Sequence, residues 1–222
     1  MPADPITDQM SMQRRRMIER LRDHYHIGND KVLAVMATLP RHYFVPEAIQ
    51  SQAYNDNALP ISSGQTISQP FIVARMTDLL GLTGKEKVLE IGAGSGYQTA
   101  ILASLARKVF AIERLPQLAA EAKFRLQQLG FRNVTLKTGD GTNGWDAYHP
   151  YDAILVAAGG PEVPDPLVHQ LSIGGRLVVP VGEDQKHQTL IRVIRTENGW
   201  TQENFGPVAF VPLIGQHGWK QS

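Results

Sequence analysis

Lys87-Val-Leu-Glu-Ile91-Gly92-Ala-Gly94-Ser-Gly96-Tyr97-Gln-Thr-Ala100 is the stretch that decides the fold. Lys87 to Ile91 is short and apolar and reads as a buried strand. The three alternate glycines read as a turn, and Tyr97 to Ala106 as a helix. A strand that runs through glycines into a helix is the repeating unit of a parallel α/β sheet. The glycines let a ligand approach the backbone closely, and the helix start offers free N–H groups. In open α/β sheets such a turn lies at the carboxyl edge, where ligands bind.

The same alternation continues outward. Lys108-Val-Phe-Ala-Ile112 is the second strand and Pro116 to Leu129 the second helix. Val134 to Lys137, Ala153 to Ala157 and Gly175 to Val179 supply three more strands. The fold class expected is α/β, a doubly wound and mainly parallel sheet with right-handed crossovers. Upstream, helices are predicted over Met10 to Asp23 and Lys31 to Leu39, the latter capped by Asn29 and ended by Pro40. Pro70 opens a further helix, Phe71 to Leu80, which Gly81 and Gly84 stop. Downstream, Thr189 to Arg195 and the residues from Trp200 read as a hairpin turning at Glu197-Asn-Gly199. The proline in Phe210-Val-Pro-Leu213 places that segment on a sheet edge or off the sheet. A single domain over 1–222 is expected. It comprises an N-terminal helical and loop extension (1–84), a ligand-binding core (85–187) and a C-terminal hairpin with its following segment (188–222).

Composition narrows the chemistry. The chain has 222 residues, 42% of them hydrophobic, enough to bury a core without a disulfide or metal. With no cysteine, disulfide scaffolds, thiolate metal sites, iron–sulfur clusters and cysteine catalysis are excluded. Lys+Arg 22 against Asp+Glu 21 leaves a net charge of +1, too balanced to announce a nucleic-acid partner. No apolar run is long enough to span a bilayer. The polar stretch Met1 to Met12 leads into arginines without an apolar segment, so a secretory signal is not expected and a cytoplasmic location is. The seven histidines lack metal-ligand spacing, so no metal is expected. Arg14, Arg15, Arg16, Arg20 and Arg22 read as a solvated helix face, Trp145 and Trp200 as packing residues, and Asp152 as the end of a turn.

Spacing separates the ligand classes. A dinucleotide fingerprint needs its third glycine at 97, which is Tyr97, and no Lys-Ser/Thr follows to make a P-loop. Glu113 ends the second strand 21 residues after Gly92, where a carboxylate can accept both ribose hydroxyl protons; a plain helix-start acid before Pro116 is the other reading. Gly139-Asp140-Gly141 follows the third strand. Asp140 is placed to accept from an adenine amino group while the glycines admit a flat ring, with an Asx turn as the alternative. Gly64-Gln-Thr-Ile-Ser-Gln-Pro70 brings the Thr66 and Ser68 hydroxyls to a helix start, either as an anion cradle or as simple caps.

Glu90 followed by Gly-x-Gly-x-Gly resembles motif I of S-adenosylmethionine-dependent methyltransferases. The likeness then extends over nearly everything after residue 12 to one family, the protein-L-isoaspartate O-methyltransferases. It is carried by Val32 to Leu39, Pro40-Arg-His-Tyr-Phe-Val-Pro46, Ala58-Leu-Pro60 and Gly64 to Pro70. Val88 to Ala100, Gly139 to Trp145, Pro150 to Ile154 and Val211-Pro-Leu213 carry the rest. The resemblance implies a Rossmann-like sheet and S-adenosyl-L-methionine as cofactor, with S-adenosyl-L-homocysteine as product. It also implies methyl transfer to the free carboxylate of L-isoaspartyl residues, and it raises D-aspartyl residues as a further substrate class. Ser68 would be the active-site serine, hydrogen-bonding that carboxylate, with Gln65, Thr66 and Ile67 lining the cleft. Glu90, Gly92, Gly94, Gly96, Glu113, Asp140 and Gly141 would hold the cofactor. Val211, Pro212, Leu213 and Ile214 would lie along the substrate main chain.

The partners implied are isoaspartyl-containing peptides and proteins, with no stable nucleic-acid or membrane partner and a monomeric enzyme. Three other readings remain open: a related methyltransferase acting on RNA or a small molecule, a nicotinamide dehydrogenase that Tyr97 disfavours, and a cofactor-binding domain without catalysis. The chain departs from the family pattern twice. Ala158-Gly-Gly-Pro161 stands where the family often has Ala-Pro or Pro-Pro, and Ile214-Gly-Gln-His-Gly218 matches no pattern closely.

Overall fold

The computed structural model describes residues 5–220, which leaves the ends of the two outer zones, 1–4 and 221–222, outside the described residues. Its centre is a seven-stranded sheet. β3 (Lys87–Ile91), β4 (Lys108–Glu113), β5 (Val134–Thr138), β6 (Tyr151–Val156) and β7 (Leu171–Val181) run parallel; β8 (Gln188–Thr196) and β9 (Gly199–Val208) continue antiparallel, in the order β5-β4-β3-β6-β7-β8-β9. β1 (Leu59–Pro60) and β2 (Thr66–Ile67) form a separate two-residue antiparallel pair. Side chains alternate between two cores, because successive residues of a strand face opposite ways. Val88, Val109, Leu155 and Val178 enter one core; Leu89, Phe110, Ile154 and Leu177 enter the other. That accounts for the near-continuous apolar strands: both faces are covered.

The first core is closed by α1 (Pro5–Asp23), α2 (Asp30–Thr38), α3 (Pro70–Leu80) and α4 (Tyr97–Leu105), which contribute Met17, Leu33, Ala74 and Ile101 among others. Asn29 caps α2 by accepting from the Val32 N–H, as its sequence position predicts. Gly81 ends α3 in the left-handed conformation at φ 60°. Leu126 of α5 (Pro116–Gln128) joins this core too. The opposite core is covered by α6 (Asp165–His169), a helix that the sequence reading does not include.

Two smaller expectations are revised. Asp152 lies within β6, where its carboxylate accepts from the Lys87 N–H instead of ending a turn. Trp200 is exposed on β9, while Trp145 does pack, against Phe110 and Tyr148. The basic helix face is solvated as expected: Arg15, Arg16, Arg20 and Arg22 are exposed, with Arg15 and Arg22 paired to Glu19 and Asp30 on the surface. No helix among the described residues is long and apolar enough to cross a membrane.

Candidate active site

After β3 the chain builds β4 and β5 on one side of it, then crosses to place β6 on the other. Diverging connections leave a crevice at the carboxyl ends of the strands, which is where open α/β sheets bind ligands. The loop after β3 enters that crevice with Gly92, Gly94 and Gly96 at φ 87°, 53° and 90°. At Gly96 a Cβ would also lie 3.3 Å from the Ala122 Cβ, so α4 begins hard against α5. Gly96→Val is expected to cost about 2–4 kcal/mol, the sum of a left-handed β-branched residue and an overfilled contact. Thermal denaturation should show a midpoint lowered by roughly 5–15 °C.

Glu113 ends β4 and turns back to the glycine loop. Its Oε2 accepts from the Gly94 N–H at 2.8 Å and its Oε1 from the Leu115 N–H at 2.9 Å. Each oxygen keeps another lone pair for a ligand. One cleft is lined by Gly92, Gly94, Glu113 and Gly141, by Gln65 and Thr66, and by Val211, Pro212, Leu213 and Ile214. Ile112, Leu115 and Leu118 give it apolar walls. A carboxylate beside exposed backbone and flat apolar walls fits a nucleoside: an acceptor for the ribose and a slot for the base.

Ser68 lies in the adjoining cavity, which it shares with Thr66, Ile67, Gly92, Gly94 and Tyr97. It also opens onto a groove formed with Tyr25, Phe71, Phe210 and Val211. Tyr25 stacks on Phe71 at a centroid separation of 4.0 Å. Neither Thr66 nor Ser68 caps α3, which begins at Pro70 without any side-chain cap. Both residues line the cleft region instead.

Two sequence-predicted residues sit differently from expectation. The Asp140 side chain does not line the cleft; it closes an Asx-type turn on Thr142 (2.8 Å to N, 2.7 Å to Oγ1) and accepts from Asn143 and from the Gln216 N–H. Burial alone would raise this carboxyl, but the Gln216 and Thr142 donors outweigh it and hold the group below its ordinary range. Gly141, its neighbour, faces the cleft. Glu90 is fully buried beneath the loop, outside the cleft, and neither carboxyl oxygen has a hydrogen-bond partner among the described residues. Burial pushes it up to about 8; the nearby Thr99 hydroxyl acts against the rise and the Glu113 charge adds to it. Gly96 shapes the loop without lining the cleft.

The first departure from the family pattern, Ala158-Gly-Gly-Pro161, packs against the residues that flank the second on either side. Gly159 donates to the Val211 carbonyl (2.9 Å), and its own carbonyl accepts from the Leu213 N–H (2.8 Å) and the Trp219 indole (2.9 Å). A Cβ on Gly159 would sit 2.4 Å from the Gln188 side-chain amide, so glycine is needed here. Gln188, buried in β8, grips Phe210 at both backbone groups, accepting from its N–H (2.9 Å) and donating to its carbonyl (3.1 Å). Beyond Ile214 the chain folds onto the Asp140 turn through the Gln216 and His217 N–H groups. The Phe210–Leu213 segment is thus held off the main sheet, as its proline predicts. Sequence reasoning missed Gln188 and the buried Arg41. Nothing local marks a glutamine that binds a segment 22 residues away.

With this geometry in place, comparisons identify the chain's kin. A family model described as "Protein-L-isoaspartate(D-aspartate) O-methyltransferase (PCMT)" matches residues 12–218. A protein-L-isoaspartate O-methyltransferase of Syntrophus aciditrophicus (strain SB) is 54% identical over 217 residues, covering 96% of this chain and 99% of that protein. One from Dictyoglomus thermophilum is 50% identical, covering 96% of each. A solved structure of a protein-L-isoaspartate O-methyltransferase superposes with a TM-score of 0.84 at 27% identity, covering 92% of this chain and 67% of its own. The fold is shared, at 24% identity and a TM-score of 0.79, by a Plasmodium falciparum protein solved with S-adenosyl-L-homocysteine, covering 90% and 98%. The chain belongs to the protein-L-isoaspartate(D-aspartate) O-methyltransferase family.

Proposed function

We infer that this chain transfers a methyl group from S-adenosyl-L-methionine to the free carboxylate of L-isoaspartyl residues in damaged peptides and proteins, which begins their repair. The observation that carries this reading is the continuity of the two half-sites. The Gly92–Gly94–Glu113–Gly141 cleft and the Ser68 cavity share Thr66, Gly92, Gly94 and Ala157. When bound, the cofactor supplies an electrophilic methyl on a sulfonium and is released as S-adenosyl-L-homocysteine. Glu113 would hold the ribose hydroxyls, with Gly92, Gly94 and Gly141 giving backbone access. Ser68 would orient the substrate carboxylate, and Val211 to Ile214 would run beside the substrate backbone. Gln65, Thr66 and Ile67 would close the junction.

The acceptor, with an ordinary pKa near 3.9, is already ionised at neutral pH, so no general base is required. Orientation can contribute about 7–11 kcal/mol, against about two to four orders of magnitude for acid–base help that the acceptor does not need. The chain's task is therefore positioning and exclusion of water. The peptide nitrogen then attacks the ester carbonyl and methanol leaves, closing a succinimide; its hydrolysis returns part of the chain to normal aspartate, and the isoaspartyl remainder is methylated again. The same reading has the three zones act as one cytoplasmic, monomeric enzyme on protein substrates, D-aspartyl sites included. The net charge of +1 supports a protein partner over a nucleic acid.

The test uses labelled S-adenosylmethionine with matched peptides containing isoaspartate or aspartate. Base-labile label on the isoaspartyl peptide alone is expected; equal labelling of both, or of neither, would refute the reading. Ser68→Ala should lower kcat/KM for the isoaspartyl peptide by about 10- to 150-fold, the worth of one hydrogen bond to a charged group. Full activity in that variant would remove Ser68 from the site.

A further inference from the structure

Arg41 is an anomaly in the packed interior. It begins the single 3-10 turn Arg41–Phe44 after Pro40, and its side chain is entirely buried. Its Nε donates to the Ala53 carbonyl at 2.7 Å and its Nη2 to the Ser68 carbonyl at 2.8 Å, while Nη1 has no partner among the described residues. The guanidinium carbon lies 4.9 Å from the centroid of the Tyr97 ring, the first residue of α4. Both hydrogen-bond acceptors are neutral. Asp56, whose field reaches Arg41, is engaged elsewhere, by the Tyr25 hydroxyl and the Phe71 N–H. Arginine keeps its proton in proteins, so a full positive charge is held in the interior without an anion bonded to it. Such a charge is expensive unless something compensates it.

Its location suggests what does. Tyr97 and Ser68 line the same cavity, and Arg41 reaches both from behind. We propose that Arg41 is a positioning residue for the substrate: it fixes Ser68 through the backbone carbonyl and supplies, from within the protein, the positive charge toward which the isoaspartyl carboxylate binds. An anion at Ser68 adds a near counter-charge to a guanidinium that otherwise feels only the field of Asp56, which is bonded elsewhere. The arrangement also explains how the Ser68 cavity and groove attract a carboxylate, since no lysine or arginine is among their described lining residues and the exposed Arg114 lines the neighbouring cofactor cleft. Exposed lysine or arginine would hold it through water and be screened by salt; a buried guanidinium is hardly screened.

The proposal rests on the isoaspartyl reading, and the experiment separates the two. Wild type is first assayed on isoaspartyl and aspartyl peptides; no preference for isoaspartate refutes the function itself. Given that preference, Arg41→Met is expected to raise KM for an otherwise uncharged isoaspartyl peptide by at least about tenfold, the worth of a hydrogen bond to a charged group. Its Kd for S-adenosyl-L-homocysteine should stay within about twofold, because Arg41 touches no cleft residue that would hold the cofactor. Arg41→Lys, which keeps the charge and loses the fork, should recover part of the KM. A merely structural arginine would instead weaken cofactor and peptide together, with no rescue by lysine, and that result overturns the proposal. So does an unchanged KM in Arg41→Met. Wild-type KM for the same peptide should change by less than about twofold between low and high salt. Should Arg41→Met fail to fold, this salt comparison decides: a KM that stays within about twofold upholds the buried charge, and any larger rise refutes it.

Discussion

Replacing Glu113 with alanine is expected to weaken S-adenosyl-L-homocysteine binding by roughly 100- to 1,000-fold, measured by titration calorimetry. The side chain does two things at once. It ties the Gly94 N–H to the Leu115 N–H through its two oxygens, and it presents the remaining lone pairs to the cleft. Hydrogen bonds to a charged group contribute about 1.5–3 kcal/mol each, so two ribose hydroxyls correspond to some two to four orders of magnitude. Water entering the vacated space returns part of that, which sets the lower half of the range. Glu113→Gln should fall between wild type and alanine, because an amide can accept at only one of the two backbone donors and turns its NH2 toward the other. A Glu113→Ala protein that binds within about threefold of wild type would show that the carboxylate organises the loop without touching the ligand.

The legible parts of this molecule are those set by short-range rules. The strand-glycine-helix stretch from Lys87 to Ala100, the Asn29 cap, the Pro70 helix start and the hairpin at Glu197-Asn-Gly199 each follow from a local preference, and each is where the sequence places it. α6 was missed because five residues are too few to show a helical period. β7 extends beyond Gly175–Val179 to Leu171–Val181, since its length is set by pairing with Tyr151 on one side and Thr189 on the other. Site residues divide along the same line. Gly92, Gly94 and Glu113 are dictated by the ends of β3 and β4 and could be read by counting. Glu90 also fits the pattern by position, but residues two apart on a strand share a face, and Val88 shows that this face is core. Asp140 could be read only as far as its turn; that its Oδ2 accepts from the Gln216 N–H depends on a residue 76 positions further along the chain. Arg41 and Gln188 act entirely through such long-range contacts.

Glu90 yields the second large expectation, a pH-dependent stability that a single isosteric change should remove. Its carboxyl ionises at about 8 in the folded protein, raised by burial from an ordinary value of 4.5. Between these two values the unfolded chain has released the proton and the folded chain still holds it. Unfolding therefore releases a proton, and stability falls as pH rises, by up to about 1.4 kcal/mol per pH unit. Below about pH 4.5 both states are protonated and the penalty vanishes; above about 8 both are ionised and it is complete, of order 5 kcal/mol. Glu90→Gln carries no titrating proton, so other groups cancel when its stability profile is subtracted from wild type. Urea denaturation of both proteins across pH 5 to 9 should give a difference that declines through neutrality and levels off above about 8, with the variant gaining on wild type throughout. A flat difference would mean that Glu90 is ionised in the folded chain, and an ionised carboxylate there would need donors from the glycine loop. The outcome thus decides between two roles for the acidic residue of this motif: a neutral group packed beneath the loop, or a charged one that helps the loop hold its ligand.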